Sequence, residues 1–336
     1  MDKRKNTMSF PVKQGRSPEC STEMRPHVSS DRKRIKVLIP YDGSENADVA
    51  LNELRRAGLP KQFDAFVEVT HVWLPSSPYE ITKAVSARRL RVLTAGVSSF
   101  VPALKDHEEQ KVLSHEAERR IRSQFPAATV RIEALLGKVA VAKEIIRKAK
   151  DSDAELIIVG AKRSPSPAIT DYADGALKIA RESDCSVRIA RLSERSEESP
   201  FRLMLIFDGP ESSAQIVGRV ADRVWPLESE AHFVLVRKPV PHDPSRNVSN
   251  DTVFEQLAER LRATGLRVFA STAEGQPEQY ILGKARELNV DCVFIHATGS
   301  PACEDGLSHM AQAVVLGAQC SVEVVRREAQ EVKPVA

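Results

Sequence analysis

A chain of 336 residues has the length of about two domains, and its 42% apolar and 28% charged content is that of an ordinary globular protein. A formal net charge of +3 argues against a nucleic-acid partner, and no run reaches the roughly 18 apolar residues that a membrane span requires. Five cysteines (Cys20, Cys185, Cys292, Cys303, Cys320) show no C-x-x-C and no matched histidine spacing, which argues against a zinc site or a disulfide framework.

Taken in chain order, residues 1–33 are a basic tail. Residues 1–34 hold nine Lys/Arg against four Asp/Glu, a charge of +5, which leaves −2 for the rest. Rich in Ser and Pro and without apolar periodicity, this tail is expected to be disordered and solvated. It lacks the apolar stretch of a signal peptide, so the expected location is cytoplasmic. The first unit, 34–192, predicts a strand at 35–41, a helix at 45–57, a strand at 65–73 and a helix at 108–122. A strand at 129–136, a helix at 140–150, a strand at 155–161, a helix at 173–182 and a strand at 186–191 complete it. Residues 193–200, rich in Ser and Glu, are the linker. The second unit, 201–328, predicts strands at 202–207, 231–236, 267–271, 292–297 and 321–325. Between them fall helices at 212–224, 252–263, 278–288 and 307–316, and 329–336 is a second tail. Apolar strands alternating with helices specify βαβ units and a parallel sheet covered on both faces.

The two units are copies. EIIRKAKDSDAELIIVG (144–160) aligns without gaps on YILGKARELNVDCVFIH (280–296), and CSVRIAR (185–191) is answered by CSVEVVR (320–326). The turn Asp42-Gly43-Ser44 returns 166 residues later as Asp208-Gly209-Pro210, whereas the longer match is offset by 136. The first unit therefore carries about 30 extra residues (166 − 136), placed at 74–111 as an enlarged, partly helical crossover or flap. Its Arg88, Arg89 and Arg91 read as a solvated face. Ligands of parallel α/β sheets bind at the carboxyl ends of strands, where the strand order reverses, and the Asp-Gly turn holds that position. Ser44 is a candidate N-cap, Pro210 suits a first helical turn, and Asp208 is read as the cap of the second copy.

A first strand closing on Asp42-Gly43-Ser44-Glu45, the segment Ala154 to Gly160 and the closing Cys185-Ser186-Val187 strand, with their echoes in the second half, resemble the universal stress protein family. The resemblance covers about 290 residues. It implies two tandem doubly wound, five-stranded parallel sheets of order 3-2-1-4-5, HUP or Rossmann-like, packed through their fifth strands as an intramolecular pseudo-dimer. In members that bind ATP, the Asp ending strand 1 meets the adenosine. A Gly-x2-Gly-x9-Gly-(Ser/Thr) loop after strand 4 cradles the phosphates with backbone N–H groups and a helix N-terminus. The candidate binding residues are accordingly Asp42, Gly43, Ser44 and Gly160 in the first unit, and Asp208, Gly209 and Gly299 in the second. From Gly160 the pattern falls on Arg163, Ala173 and Asp174, so only its first glycine survives. Asp174 would oppose a phosphate by roughly 4 kcal/mol at about 4 Å and an effective dielectric near 20. In the second unit His296 takes the first glycine position, Ser308-His309 the last pair, and Glu304 and Asp305 add acid. His296 is read as a strand-end residue satisfied by backbone.

The leading expectation is a non-enzymatic universal stress protein acting through protein contacts, with ATP binding weak or lost and no certain cofactor. Its expected partners are its own second unit, an unidentified protein and a second copy in a homodimer. The alternative is a sensor of ATP, AMP or another adenine nucleotide built on Asp42 and Gly160, and a slow ATPase stands third. No catalytic or metal residue is assigned, since paired carboxylates, a nucleophile elbow and a GxxxxGK[ST] loop are all missing from the sequence.

Overall fold

The computed structural model describes residues 34–70, 100–135, 141–161, 171–193, 195–196, 199–236, 244–273, 276–297 and 306–326. Several expectations fall outside these residues: both tails, most of the insertion with its arginine cluster, Cys20, Cys303, Arg163, Gly299, Glu304 and Asp305.

The first half runs β1 (Lys36–Tyr41), α1 (Glu45–Arg56), β2 (Asp64–Thr70), α2 (Phe100–Gln124), β3 (Thr129–Leu135), α3 (Val141–Asp151), β4 (Leu156–Gly160), α4 (Asp171–Glu182) and β5 (Ser186–Ala190). The second half repeats it with β6 (Arg202–Phe207), α5 (Pro210–Ala221), β7 (Glu230–Val236), α6 (Pro244–Arg262), β8 (Arg267–Ala273), α7 (Pro277–Glu287), β9 (Cys292–His296), α8 (His309–Gly317) and β10 (Ser321–Val325). Two helices start earlier than the apolar periodicity indicates. α2 begins at Phe100 rather than 108, and α6 at Pro244 rather than 252. A proline lies in the first turn of each, Pro102 and Pro244, where no backbone donor is required and the ring is compatible with the helix. Residues 100–111 of the expected insertion thus belong to α2.

All ten strands form one sheet in the order β3-β2-β1-β4-β5-β10-β9-β6-β7-β8. Each half reads 3-2-1-4-5, and pairing within each half is parallel. The halves meet through β5 and β10, which run antiparallel with Val187 opposite Val324, Arg188 opposite Glu323 and Ile189 opposite Val322. The central strands are buried along their length because helices cover both faces.

The two faces are organised differently. On one, α3, α4, α7 and α8 cover a single core that crosses the junction through Val187, Ile189, Val322 and Val324. On the other, the core is split. Leu51, Leu54 and Ile121 belong to a cluster under α1 and α2, while Ile216, Val220 and Leu261 belong to a separate one under α5 and α6. Each fully buried aliphatic side chain contributes about 1.5–3 kcal/mol, so the shared core is one strong tie between the halves. Among the described residues no helix is long and apolar enough to cross a membrane.

Candidate functional site

Strand order reverses between β1 and β4, since β2 flanks β1 on one side and β4 on the other, and the carboxyl ends of this pair open a crevice. The structure brings the first-unit candidates to it. Asp42 is exposed after β1, and its Oδ1 accepts the Ser44 backbone N–H at 3.0 Å, closing an Asx turn. Gly43 lies at φ +72° beneath Leu113 of α2, whose Cδ2 would be 2.5 Å from an added Cβ. Ser44 caps α1 as expected, its Oγ accepting the Ala47 N–H at 3.2 Å. Glu45 and Asp48 occupy the first turn, where they suit the helix dipole and oppose an anion. The Tyr41 hydroxyl donates to Asp48 at 3.1 Å, and Arg120 of α2 pairs with the same carboxylate. Burial first, then the Asp48 charge, raise the Tyr41 hydroxyl above its ordinary value.

Gly160 ends β4 against the first turn of α1. A Cβ there would sit 1.7 Å from the Asn46 carbonyl oxygen, so this position admits no side chain. The glycine that the family pattern assigns to phosphate is one that helix-on-sheet packing already demands.

The second unit departs from expectation at Asp208. Asp208 is not the cap of α5. Gly209 holds the cap position, in an extended conformation open to any residue, with Pro210 next to it. Asp208 stands one residue too early, and its Oδ1 accepts the Ser212 hydroxyl at 2.5 Å instead. The Nε2 of His296 lies 2.8 Å from Oε1 of Gln215 on α5, a side-chain partner that the sequence reading did not name.

The largest polar feature escaped the sequence reading. Where β5 meets β10, four charged side chains lie buried between the two clusters of the split core. Arg188 donates through Nε and Nη2 to Glu53 at 3.0 and 2.6 Å, and through Nη1 to Glu323 at 3.1 Å. Arg223, just past α5, grips Glu323 with both Nη atoms at 2.7 and 2.5 Å and also reaches the Ala57 carbonyl at 3.0 Å. Arg188 and Glu323 are both 0% exposed. Burial works to raise the Glu323 carboxyl, but Arg223 and Arg188 outweigh it and hold the group below its ordinary value. For Glu53 burial prevails over the attraction of Arg188, and its carboxyl is raised. The signal was present in the sequence as one charged residue amid each apolar run, SVRIA and SVEVV.

A cavity of about 120 Å³ lies between α1 and the chain after β5, lined in part by Arg56, Arg191 and Arg195. Their guanidiniums are engaged: Arg56 by Asp291 at 2.9 Å, Arg191 by the Val315 carbonyl at 2.5 Å and Arg195 by the Pro200 carbonyl at 2.7 Å. The volume is well short of the roughly 300 Å³ of a small-molecule pocket. Among the described residues no cluster of His, Cys, Asp and Glu could hold a metal ion. Burial raises the thiols of Cys185 and Cys320 to about 11, which keeps both as inert hydrophobes.

Residues 34–191 match the universal stress protein family. No curated protein matches the chain in sequence. Among solved structures, a universal stress protein from Archaeoglobus fulgidus DSM 4304 is 15% identical, with a TM-score of 0.53 over 87% of this chain and 96% of that one. A protein of unknown function from Pseudomonas aeruginosa PAO1 is 14% identical, with a TM-score of 0.48 over 87% of this chain and 92% of that one. At 15% identity the likeness to the Archaeoglobus protein is one of fold. Residues 34–191 thus form a domain that matches the universal stress protein family, and the second unit repeats the same fold.

Proposed function

We propose that the chain is a non-enzymatic universal stress protein, working in the cytoplasm through protein contacts, with ATP binding weak or lost. Gly160 carries this reading. It is the only member of the phosphate-loop pattern left in the first unit, and packing against Asn46 accounts for it without any nucleotide. The acids agree, with Glu45 and Asp48 in the first turn of α1 and Asp174 where the pattern calls for Ser or Thr. A triphosphate brought to the first turn of α1 would meet the negative charge of Glu45 and Asp48. Protein purified without added ligand should release no stoichiometric nucleotide on denaturation, as read by mass spectrometry. Its melting temperature should not move in millimolar ATP, and ATP turnover should stay at the buffer rate. Near-stoichiometric ATP in the purified protein would overturn the reading.

A second reading, a sensor of AMP or another adenine nucleotide, is favoured by the exposed Asp42 carboxylate at the carboxyl end of β1. It requires Asp42→Ala to weaken nucleotide binding at least tenfold by calorimetry. Unchanged affinity in that variant would exclude it.

A further inference from the structure

Because the units are copies, each residue near the junction has a counterpart, and the flanking contacts come in matched pairs. The Arg191 N–H donates to Ser321 Oγ and the Arg326 N–H to Ser186 Oγ, both at 3.1 Å. The Arg191 guanidinium reaches the Val315 carbonyl of α8 at 2.5 Å, and that of Arg326 reaches the Ala180 carbonyl of α4 at 2.7 Å. Asp291 faces Arg56 of the other half at 2.9 Å, and its counterpart Glu155 faces Arg219 at 3.7 Å. Both units keep these serines, the arginine at 191 and 326 and the acid at 155 and 291, so none of those distinguishes one half from the other. Arg56 and Arg219 stand one helical turn apart in their copies, answered by Asp222 and Glu53. At the axis itself the copies differ: the position that is Arg188 in CSVRIAR is Glu323 in CSVEVVR, and the two stand opposite each other, fully buried.

We infer that Arg188 and Glu323 make this junction heterotypic, so that the β5 edge accepts β10 and refuses the β5 of a second chain. The same register between two β5 strands would set Arg188 against Arg188, and between two β10 strands Glu323 against Glu323. The accompanying Glu53 or Arg223 of each copy would keep the set neutral, but the bond across the axis from Arg188 to Glu323 would be replaced by two like charges facing each other away from water. An inward charge on an exposed strand guards that edge against wrong partners, and here it doubles as the key for the right one. The inference concerns assembly and stands whether or not a nucleotide binds.

The full chain provides the test. Glu53, Arg188, Glu323 and Arg223 sum to zero; Arg188→Glu takes the buried set to −2 and Glu323→Arg to +2. Each variant alone should lose about 10 °C or more of melting temperature, as breaking buried pairs does. Refolded together in equal amounts, the two can exchange halves. One resulting junction is native, and the other sets the introduced carboxylate against the introduced guanidinium in a neutral set. The mixture should run at twice or more the mass of the wild-type chain and recover most of the lost melting temperature. A mixture that keeps the single-chain mass without recovery would overturn the inference. Should the reversals not fold, Arg188→Gln, Glu323→Gln and their combination decide. The double variant must melt above both singles, and losses that simply add would count against a specific pairing.

Discussion

At the scale of single residues, Gly160 and Ser44 show how a motif can be read correctly in position and differently in cause. Both lie where the family pattern puts them. Ser44 spends its hydroxyl on the Ala47 N–H, and Gly160 gives its missing side chain to Asn46. Ser44→Ala should cost about 1 kcal/mol in urea unfolding, the usual loss of an N-cap. Gly160→Ala should cost at least the roughly 1–3 kcal/mol of an overpacked core, because the obstacle is a backbone oxygen that cannot rotate away. If Gly160→Ala is instead neutral to folding, the glycine is there for a ligand. Asp42, Gly43 and Ser44 were legible as a turn and cap because local chemistry fixes them. The Gln215 partner of His296 was not legible, since it comes within reach only once α5 has docked on β6 and β9, whereas the Ser212 partner of Asp208 is local, four residues further on.

At the scale of elements, strands and helices followed from periodicity, while the starts of α2 and α6 were missed because both helices begin before their apolar repeat does. The junction of β5 and β10 was expected from family resemblance, yet its charges were not. A buried Arg and a buried Glu read as defects in two separate strands until their register places them together. This network sets a pH dependence with two arms. Glu323 is held below its ordinary value of 4.5, so its contribution is complete above that pH and disappears as pH falls through the lowered value. Glu53 is raised above 4.5, so between 4.5 and its own value the folded chain holds a proton that the unfolded chain lacks. Stability therefore declines as pH rises through that window. Urea midpoints measured across acidic pH should show both slopes, and Glu53→Gln should flatten the upper arm while leaving the lower one. An unchanged upper arm in Glu53→Gln would assign that slope to another group.

At the scale of the whole molecule, the duplication was readable because gapless matches such as 144–160 on 280–296 outlast divergence elsewhere. That the copies share one core on one face and keep two on the other was not readable, because it depends on how far the helices stand from the junction. The shared core and the buried charges predict a single unfolding transition, with calorimetric and van't Hoff enthalpies in agreement. Trp225 gives an internal check. Its indole lies within 3 Å of where a Cβ on Gly58 of the other half would be, edge-on to Phe201 and Phe294. In a Trp73→Phe background its emission should shift to the red in the same transition, and an earlier shift would mean that the halves part before they unfold.

The antiparallel meeting of β5 and β10 also decides where the two Asp-Gly turns look. All strands of the first half run with β5 and all strands of the second with β10, so Asp42 emerges on one rim of the sheet and Asp208 on the opposite rim. Five strand spacings, about 24 Å, separate β1 from β6 across the sheet. One small molecule therefore never touches both turns. Two partners seated on them would face away from each other, with the ten-stranded sheet between them.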